Sequence, residues 1–258
     1  MKILSIDSSG LVASVAIMEE ETMIAEYTVN NKMTHSQTLL PMIDEIFSLT
    51  QTDKESLDAI AIAAGPGSFT GLRIGAATAK GLGLALDKPV IEVPTIYGLA
   101  NNLFDTEGLI VPMMDARRAQ VYTGICRFRD HRLEVVKEQC AVSVEELVRE
   151  LNALGEKVTV LGDGVEPNRS YLSENLTVSW AEAPGHLNRQ RAAAVAELGS
   201  IYYSEGKYVS AAEHSPEYLR VSQAEREQAE KGRSMREMEE KSARLRPADY
   251  GAGDSYED

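Results

Sequence analysis

Two apolar periods alternate along this chain. Runs of branched and small apolar residues at 2–8, 12–18 and 22–29 read as three strands, and residues 59–64 form an unbroken apolar run that reads as a fully buried one. Between them, Leu39, Leu40, Ile43, Ile46 and Phe47 recur at helical spacing and predict a helix from Ser36 to about Ser48. After Ala64 the chain passes Gly65-Pro66-Gly67-Ser68-Phe69-Thr70-Gly71-Leu72-Arg73-Ile74-Gly75 and enters an Ala- and Gly-rich helix ending near Leu86. A short strand at 89–93 and a helix at about 95–103 complete the first half.

The second half repeats the order. Strand patterns fall at 109–114, 120–128 and 133–139. A helix follows at about 144–151, with Ser143 as N-cap and Glu146 as its capping-box partner. Next come a strand at 157–161, a helical turn near 168–172, a short strand at 177–180 and a helix at about 189–203. Three strands, helix, strand, helix, strand, helix, occurring twice, is the order of the actin-like ATPase (ASKHA) architecture. The predicted fold is therefore α/β, with duplicated βββαβαβα lobes at 1–104 and 105–221. The last helix, about 189–205, is free to pack back on the first lobe. From 222 to 258 the pattern breaks into charge. Residues 224–231 and 235–244 have helix-forming composition with charge pairs four apart, and 247–258 read as disordered. Such a segment is a solvated tail or one that orders on a partner.

Gly71, Gly75, Ala79 and Gly83 follow one another at a spacing of four and share one helix face. Each helical glycine costs roughly 0.5–1 kcal/mol relative to alanine, so another backbone is expected close by. It belongs either to the protein's own sheet or to a second subunit; phosphate binding by the free N–H groups of the turn is a third reading. No Gly-Lys-Ser/Thr follows, which excludes a P-loop, and Thr70 stands where a dinucleotide fingerprint needs glycine.

Charge and composition narrow the chemistry. The 258 residues carry a formal net charge of −14, which opposes direct nucleic-acid binding; if the protein works on RNA, a basic partner is expected to hold it. The nearest basic cluster is Arg127, Arg129, His131 and Arg132, read as an exposed strand face. No stretch is long and apolar enough to span a bilayer, and the N-terminus is a poor signal peptide, so a cytoplasmic location is expected. Cys126 and Cys140 have no metal-ligand spacing and exclude a disulfide framework. Among His35, His131, His186 and His214 no two lie four apart, so there is no helical metal pair, and no Gly-x-Ser-x-Gly elbow occurs. His35, next to the start of a helix, reads as a capping or packing residue.

In actin-like ATPases an acid at the end of the first strand helps to hold the metal–nucleotide. Asp7-Ser8-Ser9 stands at that place, and Asp115 at the matching place in the other half. Arg117-Arg118 departs from the open, glycine-rich turn that phosphate needs there. Gly162-Asp163-Gly164 reads either as a remnant of an adenosine site or as an ordinary strand exit. Asp7, Ser8, Ser9 and Asp115 are thus expected to mark a degenerate nucleotide region. No catalytic residue, metal site or cofactor is assigned to this chain.

Several pieces, in order, resemble the TsaB (YeaZ) family of bacterial tRNA threonylcarbamoyladenosine proteins. They are Ile6-Asp7-Ser8-Ser9, His35-Ser36-Gln37 with Leu40-Pro41, the whole Gly65 to Gly75 block, Pro94-Thr95, Asp115-Ala116-Arg117 with Val121-Tyr122, Gly162-Asp163-Gly164, and Pro216-Glu217-Tyr218-Leu219-Arg220. The resemblance implies a catalytically degenerate relative of TsaD, the threonylcarbamoyl-transferring subunit. TsaD carries a metal-binding histidine pair and glycine-rich nucleotide turns that this chain lacks. The implied role is a non-catalytic scaffold and activator. It would pair with TsaD, with the ATPase subunit TsaE joining them, for transfer to the adenosine beside the anticodon of tRNAs reading codons that start with A. ATP and a metal would be used by the partner subunits, tRNA would be held only through the complex, and a homodimer would form without TsaD. Pairing in the family runs through the two N-terminal-lobe helices. That implies an interface of His35, Ser36, Leu39, Leu40 and Ile43 on the first, and Ser68, Phe69, Gly71, Leu72, Gly75, Ala79 and Gly83 on the second. The competing expectation is a stand-alone actin-like ATPase or kinase using Asp7.

Overall fold

Strand β1 (Lys2–Asp7) is the centre of the first sheet, and all but its first residue are buried. β2 (Ala13–Glu19) and β3 (Thr22–Val29) continue from it as an antiparallel meander, while β4 (Ala59–Gly65) and β5 (Val90–Pro94) add in parallel on its other side. The order is β3-β2-β1-β4-β5. The computed structural model describes residues 1–31 and 33–219; the charged tail predicted at 222–258 lies outside the described residues.

Because successive strand residues face opposite sides, Leu4 and Ile6 look one way and Ile3 and Ser5 the other. The first side is covered by α1 (His35–Thr50) and α2 (Phe69–Leu86); Leu39, Ile43, Ile46 and Ala79 join Leu4, Ile6, Val15 and Ile17 in one core cluster. α2 begins with Ser68 as its N-cap, the hydroxyl accepting from Gly71 N–H at 3.3 Å. The other side is covered by α3 (Thr95–Asn101) and by α6 (Ala192–Ser204), which returns from the second half of the chain. Ser5 Oγ donates to the Ala192 carbonyl at 2.7 Å, and Ala192 N–H donates to Ser14 Oγ at 2.9 Å.

The second sheet, β10-β9-β6-β7-β8, is the first one repeated when read from the other end. Its strands are β6 (Leu109–Asp115), β7 (Gln120–Arg129), β8 (Arg132–Ser143), β9 (Val158–Leu161) and β10 (Trp180–Glu182). Helices α4 (Val144–Leu154) and α5 (Val165–Asn175) cover one face. Ser143 caps α4, accepting from Glu146 N–H at 3.1 Å. The architecture is the duplicated, actin-like α/β arrangement. Three local expectations are corrected. α5 is a full helix rather than a turn, since Pro167 falls in its first turn, where the missing N–H costs nothing. β10 is displaced from 177–180 to Trp180–Glu182, the stretch that pairs in parallel with β9. β8 runs on to Ser143 because pairing with β7 survives two register shifts that break the alternation.

One core cluster joins Ile3, Ala61 and Ile91 of the first sheet to Ile110 and Leu161 of the second, with α3 and α6 between. The described residues therefore share a core across the 104/105 boundary. Beyond α6 a strap returns along the first lobe. Val209 forms an antiparallel bridge with Val90, and Lys80 Nζ donates to the Ala212 and His214 carbonyls at 2.8 and 2.9 Å. The buried His214 ring meets Glu92 Oε1 at 2.6 Å and holds that carboxyl below its usual range.

Candidate functional site

Asp7 ends β1 at the place where an actin-like ATPase would present an acid to a metal–nucleotide. Here it is 1% exposed. Its Oδ1 accepts from Ser9 N–H at 2.9 Å and Ser9 Oγ–H at 2.6 Å. Burial pushes the carboxyl up to about 6, opposed by the Ser9 hydrogen bonds and the neighbouring His35. The turn beyond it is packed on two sides. The α2 turn lies against Ser8 and Ser9: Ser68 N–H donates to the Ser9 carbonyl at 2.6 Å, and Ser8 Oγ donates to the Gly71 carbonyl at 2.9 Å. From the second half, Gln190 lays its buried amide on Gly10, with Nε2 2.6 Å from where a Gly10 Cβ would stand. His35 closes the edge through Nε2 to the Gly10 carbonyl at 2.8 Å, so it packs the turn from the first position of α1.

The matching turn is built differently. Asp115 is exposed, and its Oδ1 accepts from Arg117 N–H at 2.7 Å. Arg117, Arg118 and Ala119 all hold left-handed φ, at 62°, 55° and 55°. Asp163 accepts from Asp115 N–H at 3.1 Å, and its carboxyl is raised by burial. The residues at these two turns do not fit a metal–nucleotide. The first acid is walled in and already bonded, the space over Gly10 is filled by Gln190, and the second turn carries side chains where phosphate needs bare backbone. No cluster of three or more His, Cys, Asp or Glu suited to a metal occurs among the described residues.

The small-residue face of α2 packs inside the chain, the first of its readings, and not against a second subunit. A Cβ on Gly71 would land on the Ser8 carbonyl and one on Gly75 on Ser8 Oγ. One on Gly83 would stand 2.7 Å from Ala211 Cβ, and Ala79 is wholly buried. Leu39, Ile43 and Leu72 are likewise core residues. The spacing of four records close packing on the protein's own sheet and strap, so these seven residues are not free to meet a second subunit. Of the expected interface, Ser36, Leu40 and Ser68 are exposed, and His35 and Phe69 partly so.

What α2 shows to solvent is its opposite side, Thr70, Arg73, Ala77, Gly81 and Leu84, again at spacings of three and four. Ala77 and Gly81 make it low in relief, and Leu84 is 61% exposed. Alongside, α1 exposes Leu40 at 57%. Spacing on the far side of the helix from its buried glycines would have shown this stripe; Gln190 has no sequence signal. Three of the four members of the basic run have acidic partners in place: Arg127 pairs with Glu156, Arg129 with Glu134, and His131 meets Asp105. No helix among the described residues is long and apolar enough to cross a membrane.

Comparison with known proteins places the chain in a family. The family model for TsaD, tRNA N6-adenosine threonylcarbamoyltransferase, matches residues 22–225. The tRNA threonylcarbamoyladenosine biosynthesis protein TsaB of Bacillus subtilis is 32% identical over 225 residues, covering 87% of this chain and 96% of that protein. TsaB of Escherichia coli is 31% identical, covering 85% and 95%. The crystal structure of YeaZ from Pseudomonas aeruginosa shares the fold with a TM-score of 0.73 at 24% identity, covering 84% of this chain and 99% of that one. With two relatives above 30% identity along most of its length, this chain belongs to the TsaB family of tRNA threonylcarbamoyladenosine biosynthesis proteins.

Proposed function

We propose that this chain is the non-catalytic partner of a TsaD-type threonylcarbamoyltransferase in tRNA threonylcarbamoyladenosine biosynthesis. It docks through the outward faces of α1 and α2 and activates the transferring subunit. A TsaE-type ATPase joins the pair, and the same face makes a homodimer when the transferase is absent. ATP and metal are bound by the partner subunits. tRNA, whose adenosine beside the anticodon receives the group, is held only by the assembled complex.

One observation carries the reading. The first acid and turn that an actin-like ATPase would give to a nucleotide are filled by this chain's own Ser9, Gln190 and α2 turn, while α2 presents a low-relief stripe outward. Family membership supports the pathway, and the acidic charge supports leaving tRNA to a partner.

Reconstitution tests it. Purified transferase and ATPase subunits should modify tRNA adenosine at a rate at least tenfold higher with this chain present. Asp7→Asn, which keeps an acceptor for Ser9, should support the full rate. A chain that hydrolyses ATP alone, and loses that activity with Asp7→Asn, would establish the stand-alone enzyme instead.

A further inference from the structure

The motif Pro216-Glu217-Tyr218-Leu219 belongs to neither sheet, yet its backbone closes the turn between β4 and α2. Glu217 N–H donates to the Ala64 carbonyl at 2.7 Å. The Glu217 carbonyl takes the place that a side chain on Gly65 would need, and Gly65 holds φ +127°. From the second lobe, Gln139 Nε2 donates to the Glu217 carboxylate at 2.9 Å. This seating delivers Tyr218 to the first turn of α2, its ring centroid 4.9 Å from that of Phe69. One turn on, Arg73 lays its guanidinium over the Phe69 ring, 4.0 Å from the centroid, and Nε donates to Tyr218 Oη at 3.4 Å.

Arg73 is exposed, and no carboxylate of the described residues lies within salt-bridge reach of it. Arg127, Arg129, Arg169 and Arg191, by contrast, pair with glutamates. A guanidinium laid over the Phe69 ring and bonded to the Tyr218 hydroxyl, with no acidic partner among the described residues, is ready to take an anion. It stands at the head of the Ala77–Gly81–Leu84 stripe. Tyrosine and arginine are also the side chains that most often dominate interface energetics.

We propose that Phe69, Arg73 and Tyr218 form one anchor that grips a carboxylate on the partner protein, and that the strap exists in part to build it. The anchor rests on the docking reading above and adds the residues that hold the partner and the chemistry the partner must present: an acidic side chain beside an apolar one. A nucleic-acid phosphate is the other anion an arginine could meet, and the net charge of −14 disfavours it.

The test is titration of the purified transferase subunit with wild type, Arg73→Ala, Arg73→Lys, Tyr218→Ala and Tyr218→Phe, with thermal unfolding run on each. Arg73→Ala and Tyr218→Ala should weaken pairing at least tenfold. Arg73→Lys should lose most of the same affinity, because an ammonium cannot stack as a plane. Tyr218→Phe, which keeps the ring, should stay within about threefold. Arg73 is solvent-exposed, so its variants should unfold at the wild-type temperature even if Tyr218→Ala does not. Wild-type affinity in Arg73→Ala, beside weakened pairing in Ala77→Arg, would overturn the anchor and leave the docking face standing. Absence of pairing by wild type would remove both. Loss of tRNA binding by the isolated Arg73→Ala chain, with pairing intact, would reassign the arginine to phosphate and overturn the proposal.

Discussion

Asp7 is an acid enclosed by its own turn. With its folded value pushed up to about 6 from an ordinary carboxylate value of 3.8, the folded chain keeps a proton that the unfolded chain releases between those two limits. Stability therefore falls as pH rises through that window and stays lowered above it. The gap between those two values corresponds to a penalty on the order of 3 kcal/mol at neutral pH. Asp7→Asn keeps an oxygen for both Ser9 donors and removes the charge. It should be more stable than wild type by about 1–3 kcal/mol at pH 8, with the difference vanishing near pH 4. Urea midpoints at the two pH values decide it; a variant less stable at pH 8 would mean that the fold relies on the negative charge. The strand pattern placed an acid at the end of β1, but not its wall. Gln190 comes from far downstream in the chain and carries no motif.

At the scale of the element, α2 has two faces with opposite duties. Inward, Gly71 lets the helix lie on the Ser8 carbonyl and Gly75 on the Ser8 hydroxyl; outward, a methyl added to Gly81 would meet nothing within 4 Å. Gly71→Ala should therefore cost about 1–3 kcal/mol through overpacking. Gly81→Ala should add about 0.5–1 kcal/mol, since it only removes the helical cost of glycine. Denaturant unfolding of the two variants beside wild type would show opposite signs; two losses would mean that the outward face is also packed. Periodicity in the sequence found the small-residue face of this helix but could not say what it faced, because a sheet and a second subunit demand the same small side chains. Strands such as β1 and β4 were legible because burial on both sides leaves continuous apolar runs. α5 was not, since Val165 and Leu172 are its only buried residues and its composition is otherwise polar.

For the whole molecule, α6 and the strap tie the second half of the chain to the first. Gly199 lies so close to Ala61 that a Cβ would stand 2.9 Å from the Ala61 methyl. The core that spans both sheets predicts a single cooperative transition. The one tryptophan, Trp180, reports from β10 in the second sheet, while far-ultraviolet circular dichroism reports from both. The two denaturation curves should coincide; an earlier fluorescence transition would show the lobes unfolding separately. The doubled order of elements was readable because each half repeats the same alternation of periods. The shared core was not, since it depends on contacts between residues far apart in the chain.

The outward face of α2 is expected to dock the transferring subunit. Size-exclusion chromatography with light scattering, on wild type and Ala77→Arg mixed with the transferase subunit, tests it most directly. Ala77 is exposed, so the arginine leaves folding unchanged while standing in the path of a partner. Wild type should run as a one-to-one complex, and Ala77→Arg, equally stable, should elute apart from the transferase. Equal complex formation by both proteins would contradict this and move the docking surface off this helix.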